Sequence, residues 1–361
     1  MFDCIVVGGG LIGMLTARCL HEAGVRVLLL ERGHLGREAS WAGGGILSPL
    51  YPWQYPAPVN RMAAISQRAY ARFAENLKGE TGIDPEWLPS GMLVLDAEEQ
   101  EALRWDAECD TSVEYLTQEA LRAYEPALAP SFEHGLWLPT IAQIRSPRLI
   151  KALHASLDMR GIEYREHTEV LRLRLEGDTV AGVETAQGAI NAKRVVIASG
   201  AWSARLIPSA CMPIEVEPVR GQMILFKTRP NLVRHMILCH GDYLIPRRDG
   251  HVLVGSTLEE AGFEKATTAQ AREDLRIKAL EWVPALDKYP IEHHWSGLRP
   301  SSPGGIPYVG PHPDIQGLYF NTGHFRCGIV LAPASAQLAV DLMLGRPPQL
   351  PSGPYALNAV R

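Results

Sequence analysis

The sequence predicts an α/β fold of two domains, in which a domain built on an antiparallel sheet is inserted into a Rossmann-like domain built on a parallel sheet. Three observations support this prediction. A strand, a tight turn, a helix and a second strand follow one another between Cys4 and Glu31. Helical and strand patterns then alternate along the first half of the chain. Between Ile214 and Thr257, apolar and polar residues alternate and turn residues recur, as in antiparallel sheets.

The first elements are the best defined. Cys4–Val7 is a short apolar run that predicts a strand, and three glycines, Gly8–Gly10, follow it. Leu11–Ala23 has the spacing of a helix, and Gly24 is suited to end it. The apolar run Val25–Leu30 predicts the second strand, so this segment has the order of a βαβ unit.

The remaining elements predict how the two domains are divided. Helical spacing predicts helices at Asn60–Leu77, Pro147–Arg160, Ala269–Trp282 and Ile329–Leu344. Strands are predicted at Met92–Leu95, Gly135–Leu138, Tyr164–Leu175, Thr179–Glu184, Arg194–Ala198 and Leu318–Phe320. We assign residues 1–84, 145–213 and 301–361 to the nucleotide-binding domain, and 85–144 and 214–300 to the substrate domain.

Composition excludes several classes of protein. The 361 residues carry a net charge of -5, and Arg247–Arg248 is a lone basic pair, so a nucleic-acid partner is not expected. Strand-like sequence begins at Asp3 and leaves no room for a signal peptide. No apolar stretch is expected to reach the roughly 20 residues that a membrane span needs. These features predict a soluble, cytoplasmic protein without a membrane partner.

No metal site is predicted. The six cysteines include no C-x-x-C pair and are expected to be reduced thiols, which argues against zinc. His293–His294 is interpreted as a pair at a strand edge. The cysteines are Cys4, Cys19, Cys109, Cys211, Cys239 and Cys327.

A glycine motif predicts a dinucleotide site. Gly8-x-Gly10-x-x-Gly13 lies between a strand and a helix, where the glycines permit a tight turn, close approach of a pyrophosphate and close packing of the helix. The helix N-terminus offers free N–H groups to the phosphates. Glu31 ends the next strand, where it can accept hydrogen bonds from ribose and repel the 2′-phosphate of NADP.

This motif fits FAD and NAD equally. The second glycine-rich segment, Ser40–Gly45, follows the acidic residue closely, where a simple NAD dehydrogenase would have its next strand and helix. Small residues there would let a flavin ring lie against the backbone. The alternative is a flexible surface loop.

Four stretches, in order, resemble the D-amino-acid oxidase superfamily of flavoproteins. They are Val6–Gly13, Ser40–Gly45, Val196–Ser203 and Gly323–Arg326. Three further stretches look like the glycine oxidases of thiamine biosynthesis, and the likeness spans nearly the whole chain. They are Tyr243–Arg247, Ser296–Pro300 and His324–Pro333.

The resemblance implies an extended, non-covalently bound FAD whose flavin faces a pocket roofed by the antiparallel sheet. It implies main-chain contacts with the pyrophosphate, the adenine and the flavin, and side-chain contacts with the ribose. Beside the glycines of the first motif, the implied cofactor-binding residues are Leu11, Ile12, Glu31, Arg32, Ala39, Ser40, Gly44, Gly45, Ile46, Val170, His324, Phe325, Arg326, Cys327, Gly328, Ile329 and Val330.

An amino acid substrate has a carboxylate, which a guanidinium holds best through two parallel hydrogen bonds. With the resemblance, Arg299 is the expected clamp, Tyr243 a second donor, and Arg326 a further contact. The implied reaction is hydride transfer from the substrate Cα to flavin N5, with no residue acting as acid or base. The products are an imine or glyoxylate, ammonia and, from O₂, hydrogen peroxide.

Some residues depart from the family pattern. Gly43–Gly45 stand where relatives often carry alanines, and Leu258 and Gly241 occupy positions expected to face the pocket. Cys327 replaces an amide residue and raises covalent flavin attachment as an alternative. His324 could be a general base, although we interpret it as a main-chain flavin contact.

Three other functions stay open at this point. A D-amino-acid dehydrogenase of the same fold would pass electrons to a quinone and release no peroxide. A flavoprotein subunit with an assembly role would lack turnover alone, and an NAD-binding regulator would lack the flavin absorbance. The family likeness also predicts a homo-oligomer, although no surface for it is evident in the sequence.

Overall fold

The structure is a computed structural model, and it describes residues 2–97, 100, 102, 112–208 and 211–361. Cys109, expected to be a free thiol, lies outside these residues. The strands are β1 Phe2–Val7, β2 Val27–Leu30, β3 Met92–Val94, β4 Glu114–Thr117, β5 His134–Leu138, β6 Glu163–Arg165, β7 Val170–Glu176, β8 Thr179–Thr185, β9 Gly188–Ile197, β10 Glu217–Lys227, β11 Met236–Cys239, β12 Asp242–Pro246, β13 His251–Gly255, β14 Ile291–Ser301, β15 Tyr308–Pro311 and β16 Leu318–Thr322. The helices are α1 Leu11–Glu22, α2 Ala39–Ala42, α3 Ala57–Thr81, α4 Gln118–Tyr124, α5 Ser146–Met159, α6 Ala269–Trp282 and α7 Gly328–Leu344.

The first sheet contains the predicted parallel core. Its strand order is β15-β16-β9-β1-β2-β6, and β16, β9, β1, β2 and β6 run parallel. β7 and β8 form an antiparallel extension along the first half of β9. Helices α1, α3, α5 and α7 bury their apolar sides in one cluster on one face of this sheet. The alternation of strands and helices in the sequence therefore gave the correct class.

The second sheet is the predicted antiparallel one. Its order is β14-β10-β13-β12-β11-β3-β5-β4, and every pair is antiparallel except β11 with β3. One face packs on α6 and α4. The other face includes Met223, Tyr243 and Ile245 and packs with Ile46 and Leu50 from the first domain. This second face points toward the nucleotide-binding domain.

Two sequence predictions about elements were wrong. The single strand predicted at Tyr164–Leu175 is two strands, β6 and β7, because His167 between them has φ 52° and turns the chain. The short elements β4 and α4 were missed because four and seven residues carry too little periodicity to be recognised. The helix predicted at Asn60–Leu77 exists but is longer, Ala57–Thr81, and ends at Gly82 with φ 72°.

The expectation that no segment is apolar and long enough to cross a membrane was also wrong. Phe325–Leu344 is 20 residues long with a mean hydropathy of 1.7. The sequence reading missed it because Pro333 and small residues interrupt the run. In the structure, 67% of its apolar window is buried. It packs with α1 and α3 in the core of the first domain, so its apolar character is explained by that core.

The parallel sheet fixes where a ligand would bind. In open parallel sheets, ligands occupy the crevice beyond the carboxyl ends of the strands. β1, β9 and β16 end side by side at Val7, Ile197 and Thr322. The glycine turn after β1, the loop after β9 and the segment after β16 therefore meet at one edge, facing the second sheet.

Candidate active site

A cavity of about 360 Å³ lies between this edge and the second sheet. Its wall brings together most of the residues that the sequence singled out. The predicted residues that line it are Gly8, Gly10, Leu11, Ile12, Glu31, Arg32, Ala39, Ser40, Gly44, Gly45, Ile46, Val170, Tyr243, Arg299, His324, Phe325, Arg326, Gly328 and Ile329. The described residues of the wall do not include five others that the sequence singled out, namely Gly13, Cys327, Val330, Leu258 and Gly241.

The glycines of the first motif are required by the backbone. Gly8 has φ +110°, and a Cβ there would lie 2.5 Å from the carbonyl oxygen of Ala198 on the neighbouring strand. A Cβ on Gly13 would lie 1.8 Å from the oxygen of Gly8, so Gly13 acts by packing and does not face the cavity. At the helix start, the amide of Leu11 donates to Oγ of Ser40 at 2.9 Å, which places that hydroxyl against the helix N-terminus.

Glu31 is buried and firmly held at the end of β2. One carboxylate oxygen accepts from the amide of Gly9 at 2.7 Å, and the other accepts from the amide of Gly33 at 2.8 Å. Arg32, next along the chain, donates to Glu38 at 2.9 Å and stacks over the ring of Trp202 at 3.6 Å. The acidic residue is thus fixed where a ribose beside the glycine turn would reach it.

The second glycine segment forms a cradle that side chains would fill. A Cβ on Gly44 would come within 3.0 Å of Ile245 and 3.2 Å of the Tyr243 hydroxyl. Gly45 has φ +86°, and a Cβ there would lie 1.9 Å from the oxygen of Ile144. The segment is therefore no flexible loop. It is a wall packed against Tyr243, Ile245 and Ile144, and both glycines line the cavity.

Arg247 holds this wall in place, and the sequence did not predict this role. Its guanidinium donates to the carbonyl oxygen of Gly44 at 2.5 Å and to Oε1 of Gln143 at 2.8 Å. Burial lowers the pKa of Arg247 to about 10. In the sequence it stands only as half of a lone basic pair with Arg248. Only the fold reveals that it is buried between the domains.

Arg299 and Tyr243 meet at the other end of the cavity. Arg299 lies on β14 and donates to Oγ of Ser256 at 2.6 Å and to the carbonyl oxygen of Thr257 at 3.0 Å. Burial lowers the pKa of its guanidinium. Among the described residues, no carboxylate lies within ion-pair distance of it. Arg299 is half-buried and Tyr243 is buried, so a cation and a phenol share one largely desolvated corner.

The room for this guanidinium comes from a residue that sequence reasoning missed. Gly221 on β10 pairs with Gly297 beside Arg299, and a Cβ on Gly221 would lie 2.1 Å from Nη1 of Arg299. The pattern of a strand interior gives no reason to single out this glycine. Its function depends on a register between two strands that are distant in the sequence.

Arg326 is fixed by the hairpin that joins β11 and β12. It donates to the carbonyl oxygen of Gly241 at 2.8 Å. The amide of Gly241 in turn donates to the hydroxyl of Tyr51 at 3.0 Å, and that hydroxyl donates to Asp96 at 2.9 Å. Gly241 was expected to face the pocket. Instead, its carbonyl oxygen holds the guanidinium of Arg326. Leu258 was also expected to face the pocket, but it does not line the cavity and its side chain is 53% exposed.

The ring of His324 is engaged inside the first domain. Its Nε2 lies 2.7 Å from Oγ of Ser335, which donates to Asn321 at 2.5 Å. Burial lowers the pKa of His324 to about 3, so the ring is neutral. Cys327 is buried outside the cavity wall, and burial raises the pKa of its thiol to about 12. Neither side chain is arranged for a reaction in the cavity.

Aromatic and basic residues after β9 were also missed as site residues. Trp202 and Arg205 line the cavity, and Arg205 stacks over Phe263 at 3.6 Å. The rings of Phe263 and Trp202 lie 5.4 Å apart. Lys265 reaches Glu38 at 3.2 Å. The loop after β13 thereby crosses from the second domain to the first and packs against the cavity-lining residues Trp202, Arg205 and Glu38.

A model of the DAO family, described as FAD dependent oxidoreductase, matches residues 3–342. This chain belongs to that family. It is 48% identical over 355 residues to a protein named glycine oxidase from Pseudomonas aeruginosa, covering 98% of this chain and 97% of the relative. It is 31% identical to a bifunctional protein ThiO/ThiG from Synechocystis, covering 95% of this chain and 51% of that protein.

The fold of this DAO-family enzyme is also found in solved structures. The crystal structure of glycine oxidase from Geobacillus kaustophilus superposes with a TM-score of 0.95 at 29% identity, covering 100% of this chain and 99% of that one. The sequence-based assignments of superfamily and fold class are therefore confirmed, and the protein is an FAD-dependent oxidoreductase.

The residues of the cavity fit FAD. The glycine turn and helix N-terminus suit a pyrophosphate, the fixed carboxylate of Glu31 suits ribose, and the cradle at Gly44–Gly45 suits a flat ring system. Residues of both domains line this one cavity and would hold the group, and Arg299 and Tyr243 belong to the same wall. When bound, FAD supplies the two-electron acceptor for the reaction.

Proposed function

We propose that this enzyme oxidatively deaminates glycine and other small amines, such as sarcosine and small D-amino acids. The products would be an imine or glyoxylate, ammonia and hydrogen peroxide, with O₂ as the electron acceptor. The imine would serve thiamine thiazole synthesis. The names of the relatives, glycine oxidase and ThiO/ThiG, support this assignment.

One observation in the structure carries the proposal. The half-buried Arg299 uses two of its five N–H donors on Ser256 and Thr257, and it faces no carboxylate among the described residues. A cation that has lost part of its water and has no paired anion is costly, so an anionic ligand would relieve that cost on binding. The carboxylate of a small amino acid has the charge and the size for this corner.

Each residue near that corner has a proposed part. Arg299 would hold the carboxylate by charge-assisted hydrogen bonds, and the Tyr243 hydroxyl would donate a further one. Arg326, fixed by the hairpin carbonyl, would add positive charge at the same end. These contacts would orient the substrate Cα toward the cradle wall at Gly44. Orientation of this kind can supply a large part of the rate enhancement.

No residue of this chain is proposed as acid or base. The His324 ring is bonded to Ser335 and faces the core, so it is not available to take a substrate proton. The substrate amine must lose its proton before oxidation, and bulk water can accept it. The chain's contribution is binding, orientation and exclusion of water by the apolar residues of the second sheet.

The cofactor-binding residues are proposed as the sequence predicted them, with Gly13, Cys327 and Val330 acting through packing. We propose non-covalent attachment, because the Cys327 thiol is buried away from the cavity wall and its raised pKa keeps it protonated. A cytoplasmic homo-oligomer with no nucleic-acid or membrane partner remains part of the proposal.

The decisive experiment is reduction of the purified holoenzyme by glycine without oxygen. We expect the visible flavin band to bleach, and to recover with peroxide release when air is admitted. A band that bleaches but does not recover in air would favour the dehydrogenase that uses a quinone. A band that never bleaches would refute glycine as the substrate.

Arg299→Ala tests the carboxylate clamp. Loss of one or two charge-assisted hydrogen bonds, each about 1.5–3 kcal/mol, should raise KM for glycine about 10-fold or more, with FAD content unchanged. Arg272→Ala, a change at an exposed arginine of α6, is the matched control. Loss of FAD from the Arg299 variant alone would show that this arginine serves the fold.

A further inference from the structure

Two loops that line the cavity are joined to each other on the outer surface. The first follows β2 and contains Glu31–Leu35, and the second joins β6 to β7 and contains Glu166–Glu169. The amide of His167 donates to the carbonyl oxygen of Gly33 at 3.0 Å, and the amide of Thr168 donates to that of Glu31 at 2.8 Å. Both loops contribute to the cavity wall, the first through Glu31 and Arg32 and the second through Glu169.

Three side chains converge where these loops meet. They are His34 from the first loop, and Glu166 and His167 from the second. One possible ligand atom from each of them lies within 4.8 Å of the other two. Nδ1 of His34 is 3.0 Å from a carboxylate oxygen of Glu166, and the two imidazole rings are 4.5 Å apart at 83°.

This donor set suits a transition-metal ion. Two imidazoles and one carboxylate match the ligands that Zn²⁺ takes at sites that keep an open position for water. Zn–N and Zn–O bonds of about 2.0–2.2 Å place neighbouring ligand atoms of a tetrahedral ion about 3.3–3.5 Å apart. The separation of 3.0 Å between His34 and Glu166 is close to this spacing. The His34 side chain is 63% exposed, so an ion can enter from solvent.

The cluster is also held in place from behind. The second carboxylate oxygen of Glu166 accepts a hydrogen bond from the amide of Leu35 at 2.7 Å. That bond orients the carboxylate and leaves its other oxygen for an ion. Such outer hydrogen bonds orient metal ligands and strengthen binding. The backbone of His167 is fixed by the hydrogen bond that its amide donates to the carbonyl oxygen of Gly33. Little rearrangement would therefore be needed to form the site.

We propose that His34, Glu166 and His167 bind a divalent transition-metal ion, Zn²⁺ in the first instance, and that the ion fastens the two loops around the adenosine half of FAD. Bonds from the ion to His34 and to Glu166 would replace the hydrogen bond between these two side chains. A third bond would join the ion to His167. Because the joined loops carry Glu31 and Glu169, FAD would leave the cleft more slowly. By linkage, bound FAD would strengthen zinc binding by the same factor as zinc strengthens FAD binding. The inference requires the family's cofactor in the cleft and is independent of which amine is oxidised.

Calorimetric titration of chelator-treated holoenzyme with zinc sulfate tests the site. We expect one equivalent of zinc to bind, and His34→Asn, Glu166→Gln and His167→Asn each to weaken binding by on the order of 10-fold or more, since even outer partners of ligands are worth about 10–100-fold. Glu166→Gln keeps an oxygen for the Leu35 amide, and asparagine tolerates the φ of 52° at position 167. His293→Asn, at an exposed histidine on β14, is the matched control.

The coupling is measured by the fluorescence of flavin released from holoenzyme, with zinc or with chelator present. Zinc should slow release in the wild type and in His293→Asn but leave the rate unchanged in the three ligand variants. Unweakened zinc binding in those variants would overturn the site, and would point to Asp96, Cys239 and His240, a second group of possible ligands. Zinc bound at the proposed residues with no change in flavin release would overturn the coupling. Neither readout depends on glycine turnover, so failure here is distinct from failure of the proposed function.

Discussion

Gly221→Ala should impair substrate binding without disturbing the cofactor. The added Cβ would lie 2.1 Å from Nη1 of Arg299, where ordinary contact begins at 3.4 Å, so the guanidinium must retreat by about 1.3 Å (3.4 minus 2.1). The group that must move is the end of a side chain, so the strand pairing can persist. It is nevertheless pinned to Ser256 and Thr257, and it cannot move freely.

The magnitude follows from the bonds at risk. A shift of this size breaks at least one charge-assisted hydrogen bond to a bound carboxylate, worth about 1.5–3 kcal/mol, which corresponds to a rise in KM for glycine of about 10- to 100-fold. FAD content and the thermal midpoint should stay near those of the wild type. Steady-state kinetics of peroxide release, beside the visible flavin spectrum, measure both quantities.

Gly79→Ala is the control for this prediction. Gly79 lies within α3, and a Cβ there meets no atom within 4 Å, so alanine should leave KM unchanged and stabilise the helix by up to about 1 kcal/mol. If Gly221→Ala also leaves KM unchanged, Arg299 does not hold the substrate in the position described. If it releases FAD, the strand pairing has been disturbed and the glycine is structural.

Three further predictions concern the cofactor and the fold. Glu31→Gln keeps only one of the two oxygens that accept hydrogen bonds from backbone amides at 2.7 and 2.8 Å. FAD should therefore bind about 10-fold more weakly, as measured by fluorescence titration. An unchanged Kd for FAD would argue against the ribose role of Glu31. Burial lowers the pKa of His324 from 6.5 to about 3, so the folded state disfavours the charged imidazole. The free energy of unfolding that the neutral His324 contributes is therefore complete above pH 6.5 and falls as the pH drops toward 3. The loss at pH 4.5 should be about 2–3 kcal/mol. Denaturant unfolding at several pH values should show this loss reduced in His324→Gln, and an equal loss in both proteins would show that other groups govern acid unfolding. Phe263→Ala removes the ring packed 5.4 Å from Trp202 and under Arg205, so FAD should dissociate several-fold faster, whereas an unchanged rate would mean that this loop does not retain the cofactor.

The local elements of the first domain are determined by the sequence itself. Gly13 is required by its contact with Gly8 within one strand–turn–helix unit, and Glu31, which ends the next strand, accepts from Gly9, so neighbours in the chain are neighbours in space. Gly8 also lies against Ala198, which follows the distant strand β9. In the second domain, the helix predicted at Ala269–Trp282 likewise has the same bounds in the structure. Short-range backbone geometry and periodicity are enough for features of this kind.

The substrate end depended on tertiary structure. The sequence singled out Arg299 and Tyr243 through a family resemblance, because an arginine before a proline and a tyrosine on a strand are otherwise unremarkable in pattern. Gly221 became visible only through the register of β10 with β14, which lie more than 60 residues apart in the chain. Its importance is a distance across two strands, and no local pattern encodes such a distance.

Burial decided the remaining roles. Arg247 stands beside Arg248 in the sequence, yet Arg247 is buried against Gly44 while Arg248 donates to Trp87 near the surface. His324 lies in a segment that resembles a flavin contact, but its ring faces Ser335 in the core. The sequence determined the elements and the residue types available to the site. Only the packing of the two sheets decided which polar groups lost water and found partners, because desolvation is a property of the whole fold.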